Sequence, residues 1–92
     1  MSRKRVCDVT VEVLRETDNP AVMWGDSGLL DMIADRAGMW RDDEWPLCRH
    51  RRILNALTKQ PGILVPKKTA TWVGNRECNV RIFRLPEDVE AG

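Results

Sequence analysis

A proline at position 46 and a Pro-Gly pair at 61–62 bracket one stretch of this chain, and no other feature constrains the fold as strongly. Proline suits the first turn of a helix, where its missing N–H costs nothing, and Pro61-Gly62 stops one. At ~100° per residue, Leu47, His50, Ile53, Leu54 and Leu57 fall on one side of the bracketed segment. Cys48, Arg51, Arg52, Asn55, Thr58 and Lys59 fall on the other. The spacing predicts a two-faced helix over 46–60 whose polar face holds cations and an amide but no acid. Residues 63–73 and 78–85 then read as the two arms of a β-hairpin, parted by the turn signal Gly74-Asn75. Pro66 cannot donate to a ladder, so the first arm is an edge strand or begins after it.

A second helix is expected over 27–38. Asp26 or Ser27 can cap its start, and Gly38 sits where a left-handed residue is wanted at its end. Leu29, Leu30, Ile33, Ala34 and Ala37 supply its apolar face, with Asp31 and Asp35 facing outward. Residues 6–17 fit two periods. Val9, Val11 and Val13 alternate as in a strand, while Val6, Val9, Thr10, Val13, Leu14 and Thr17 form a helical stripe. Helix is the preferred reading.

Charge divides the chain in the same place as the bracket. Residues 46–85 hold nine basic side chains and one acid, Glu77, whereas residues 6–45 hold ten acids and three basic residues. The overall net of +1 hides a field that can steer a polyanion to one face. Ninety-two residues suit one domain with one modest core. A basic arm over 1–5, a folded unit over 6–85 and an acidic tail over 86–92 are expected. No apolar run approaches the ~20 residues that span a bilayer, and no apolar signal segment follows the basic start. Three widely spaced cysteines argue against a disulfide framework and for a reducing, cytoplasmic setting.

The segment Asp31-Met32-Ile33-Ala34-Asp35-Arg36-Ala37-Gly38-Met39 resembles the first helix and turn of helix-turn-helix proteins. There a small residue follows an apolar one, and a glycine four positions later opens the turn; Ala34 and Gly38 fit. The segment Met39 to Trp45 is longer than the tight turn of the simplest members. With a basic hairpin downstream, residues 6–85 resemble a winged-helix domain, an α+β fold of helices followed by a C-terminal hairpin wing. The resemblance implies double-stranded DNA binding with helix 46–60 in the major groove. Arg51 or Arg52 would pair with guanine and Asn55 with adenine. Arg49 and Lys59 would meet phosphates, while Lys67, Lys68, Arg76 and Arg81 would track the backbone or a minor groove. By fold analogy, such a module serves as a bacterial or phage-type regulator associated with the nucleoid, or as a replication or recombination accessory factor.

Other chemistry finds less support. Cys7, Cys48, His50 and Cys78 are four conceivable zinc ligands, but Cys48 and His50 point ~160° apart on a helix and the other two lie far off in sequence. No cofactor motif is present, and nothing brings His50 to a cysteine as a catalytic pair requires. Asp42, Asp43 and Glu44 read as a solvated connector rather than a magnesium site. The tryptophans at 24, 40, 45 and 72 default to core anchors. Trp40 and Trp45 also bracket the acidic loop, the surface expected for a homodimer or protein partner. The alternative to DNA binding is therefore a protein–protein module, an adaptor or inhibitor, on the same frame. A third reading is RNA or single-strand binding.

Overall fold

Residues 6–16 settle as a helix because that period buries more of their apolar surface than a strand would. In the computed structural model, which describes residues 5–87, α1 spans Val6–Glu16 and encloses Cys7, Val9, Val13 and Leu14. Thr10 is buried on the same side and donates its hydroxyl to the Val6 carbonyl at 2.7 Å. That bond resolves the polar cost of a threonine inside the core. The helix ends at Asp18, whose φ of 56° is left-handed, and the Asn19 N–H closes on the Leu14 carbonyl at 2.9 Å.

The chain continues as β1 (Ala21–Val22), α2 (Ser27–Arg36), α3 (Pro46–Lys59), β2 (Val65–Val73) and β3 (Arg76–Arg84). Asp26 stands at the start of α2 but accepts the Met23 N–H at 2.9 Å, so it braces the preceding turn rather than capping the helix. Gly38 has the expected left-handed φ, 69°, and Met39 N–H bonds the Ala34 carbonyl at 2.8 Å, the paired closure of a glycine-ended helix. The sheet is antiparallel in the order β1-β3-β2. Pro66 accordingly lies in an edge strand, where its missing donor faces no partner. The hairpin turns through Gly74-Asn75, joining Val73 to Arg76 in register. Gly74 alone of the two has positive φ, 64°, a backbone that a β-branched residue would resist.

One core joins the three helices to the base of the sheet. Leu14, Leu30, Ile33, Ile53, Leu57, Val22 and Phe83 are all fully enclosed. The apolar residues of α1 lie in this core. The expectation of tryptophan core anchors is corrected: none of the four belongs to the buried cluster, and Trp45 is 78% exposed. Aliphatic side chains from the helices already fill the interior, leaving the indoles at its margins.

The expected basic arm and acidic tail fall largely outside the described residues. Arg5 pairs with Asp8 at 3.3 Å, and Glu87 pairs with Arg15. The loop after α3 closes tightly on α1. Gly62 has φ 59°, and a Cβ there would stand 2.8 Å from Cys7 Sγ, itself buried. Gly62→Ala is expected to cost about 1–3 kcal/mol from left-handed strain and overpacking, read as a lower urea midpoint with unchanged slope.

Candidate nucleic-acid interface

Two ion-pair clusters fix the orientation of α3, and they use cations expected to face a ligand. Arg49 is only 5% exposed. Its Nε donates to Asp31 Oδ1 at 3.2 Å, and its guanidinium carbon lies 3.7 Å from the centre of the Trp40 ring. His50 Nε2 lies 2.8 Å from the same Asp31 oxygen. Asp31 thus turns toward α3 instead of outward. Burial pushes its carboxyl up, but hydrogen bonds from His50 and Arg49 outweigh that and hold it below the ordinary carboxylate value.

Arg52 closes the second cluster. Its Nε and Nη2 grip Glu44 at 2.6 and 2.7 Å, and Nη2 also donates to the Met39 carbonyl at 2.6 Å. The fork-on-carboxylate geometry is the strong form of the ion pair. It holds Glu44 below its ordinary value and raises Arg52 further. Through this contact the long connector after α2 is tied to α3, so Glu44 belongs to a brace rather than an open acidic cluster. Asp42 accepts the Trp40 indole N–H at 3.2 Å.

The helix is therefore rotated from the face that periodicity alone assigns. Leu47, expected inside, is 62% exposed, and the packed side runs through Arg49, His50, Ile53 and Leu57. Hydropathy favours a leucine over an arginine at an inward position. Here Asp31 and the Trp40 ring satisfy that arginine.

What remains on the outer side of α3 is Cys48, Arg51, Asn55, Thr58 and Lys59, all exposed. Between this surface and the hairpin runs an open groove of about 370 Å³, lined by Arg51, Leu54 and Asn55 of α3 and by Val80 and Arg81 of β3. Trp24, just past β1, closes its wall. No periodicity in the sequence places that indole there, since it follows a two-residue strand. Lys67, Lys68 and Arg76 stand exposed on the hairpin.

The ion pairs divide the cations into two sets. Arg5, Arg15, Arg36, Arg49 and Arg52 each meet a carboxylate. Among the described residues, Arg51, Lys59, Lys67, Lys68, Arg76 and Arg81 form no ion pair, and neither do Arg41 of the connector and Arg84 at the end of β3. The fold brings Arg51, Asn55 and Arg81 together at the groove, and it places Arg49 and Arg52 in the braces behind α3. Cys7 is buried, Cys48 is exposed on α3 and Cys78 is half-buried on β3. Comparison with protein-family models, with curated proteins and with solved structures finds no match to this chain.

Proposed function

We propose that this chain is a winged-helix module that binds double-stranded DNA, with α3 in the major groove and the β2–β3 hairpin as its wing. The observation that carries the reading is that seven of the eight cations without ion pairs among the described residues lie on α3 and the flanking hairpin; six of these, leaving aside Arg84 with its buried Nε, make up the proposed surface. Unpaired cations concentrated on adjoining elements are the electrostatic footprint of a phosphate backbone; on the hairpin they occupy both faces, Lys68 and Arg81 one and Lys67 and Arg76 the other. Arg51 and Asn55 present the group geometry for guanine and adenine edges. Lys59, Lys67, Lys68, Arg76 and Arg81 take phosphates. Arg49 and Arg52 position the helix and touch no DNA. The order of three helices followed by an antiparallel hairpin agrees with the winged-helix resemblance. By analogy with that fold, the module acts as a small bacterial or phage-type regulator or as a replication or recombination accessory factor.

Fluorescence anisotropy on a random duplex tests the assignment. Arg51→Gln/Arg81→Gln should lose roughly tenfold to a hundredfold in affinity. Its unfolding free energy should stay within about 0.5 kcal/mol of wild type, because neither guanidinium holds an ion pair. Arg52→Gln should do the reverse, lowering the urea midpoint through loss of the Glu44 brace. Unchanged duplex affinity in the double variant would sink the reading.

A second surface supports the protein-partner reading. Trp45 and Leu47 stand exposed at the start of α3, beside Asp42 and Asp43. An exposed indole and leucine rimmed by acids suit a partner protein or a second copy. Leu47 lies one turn before Arg51 on α3, so this surface adjoins the unpaired cations.

A further inference from the structure

Trp72 stands apart from the other indoles. It pairs with Glu77 in the ladder, one rung from the Val73–Arg76 pair that closes the turn, and is 68% exposed. Trp40 is already engaged, its ring by the Arg49 guanidinium and its N–H by Asp42, and Trp45 lies at the end of the connector rather than on the hairpin. Trp24 lines the groove beneath the hairpin. Trp72 is carried on the hairpin, opposite Glu77 and on the same face as the Lys68–Arg81 pair.

Side chains alternate across a strand, so Trp72, Ala70 and Lys68 of β2 share a face with their ladder partners Glu77, Asn79 and Arg81. That face bears Trp72 opposite the single acid Glu77 near the turn, Ala70 and Asn79 in the middle, and the Lys68–Arg81 pair about 13 Å behind, four residues at ~3.3 Å each. Arg81 also lines the groove against α3, so it links this face to the helix. Neither Lys68 nor Arg81 has an ion pair among the described residues.

An aromatic ring in line with free cations is the arrangement that holds an unpaired strand, with a base on the ring and phosphates on the cations. In a continuous duplex every base is already stacked, and an indole could enter only by unstacking a step. Beside a gap that cost is absent. We propose that the hairpin face bearing Trp72 binds unpaired nucleobases adjoining the duplex held by α3, so that a gapped duplex is preferred over a continuous one. This rests on the DNA reading above and narrows its substrate to duplex with an unpaired segment.

The test uses the full chain at about 0.1 M salt, with a labelled continuous duplex and the same duplex carrying a short central gap. Wild type is expected to bind the gapped duplex about 5- to 150-fold more tightly, the range of one stacked base. Trp72→Ala should lose that preference while keeping continuous-duplex affinity, and Trp72→Phe should keep part of it. An unchanged urea midpoint confirms that the variants fold, as expected for an exposed side chain. Equal wild-type affinity for both substrates, or a preference that survives Trp72→Ala, overturns this inference and leaves the duplex reading standing. No binding to either substrate overturns both.

Discussion

Phe83→Ala is expected to destabilise the fold by about 3–5 kcal/mol, the largest effect of any single core truncation here. Phe83 is the largest fully enclosed side chain and lies on the central strand, in register with Val22 of β1 on one side and Pro66 of β2 on the other. Its ring is the point at which the sheet meets the helices. Truncation removes a large apolar surface from the core and leaves a cavity that the bracketing strands cannot collapse to fill. A chain of this length holds about 5–14 kcal/mol in total, so the variant should populate unfolded or loosened states at ambient temperature. Urea denaturation followed by circular dichroism would show it. Phe83→Leu, which keeps most of the volume, should lose clearly less. Equal losses would mean that the site tolerates collapse and that the hairpin is not anchored there.

Asp31→Ala should cost about 2–3 kcal/mol, below the full value for a buried ion pair because Asp31 itself reaches solvent. The damage falls on its partners. Arg49 and His50 are both buried and both address the same Asp31 oxygen, and the variant leaves them without a carboxylate. Asp31→Asn retains an acceptor and should lose less. The same contact carries a pH dependence. The Asp31 carboxyl sits below its unfolded value, so its contribution is fully present above about pH 4 and is lost as pH falls through the lower folded value. Asp31→Asn should lack that part of the acid loss. An equal slope of stability against pH in wild type and Asp31→Asn would contradict the assignment.

These two sites mark where the sequence was legible and where it was not. The ends of α3, the glycine that stops α2, the turn at Gly74-Asn75 and the edge position of Pro66 each follow from local backbone chemistry, which the sequence displays directly. The helical character of residues 6–16 was ambiguous because valine serves both periods, and burial on the other helices decided it. The division of cations was not legible. Arg51 and Arg52 share the polar side of the helical wheel while Arg49 sits at its margin beside Ile53, and only the tertiary approach of Asp31 and Glu44 shows that Arg49 and Arg52 are engaged and Arg51 is not. The acid-rich segment just before an acid-free helix was the available signal, since such a helix can draw its partners from its neighbour. For the tryptophans, size alone suggested the interior, but aliphatic side chains occupy it.

The central claim is that six cations without ion pairs form a surface for duplex DNA. The most direct measurement is wild-type affinity for a random duplex across a salt series, with folding checked at each point. Neutralising about six phosphates predicts a log–log slope near −5. Affinity that barely changes with salt, or a folded protein that does not bind duplex at low salt, would contradict it.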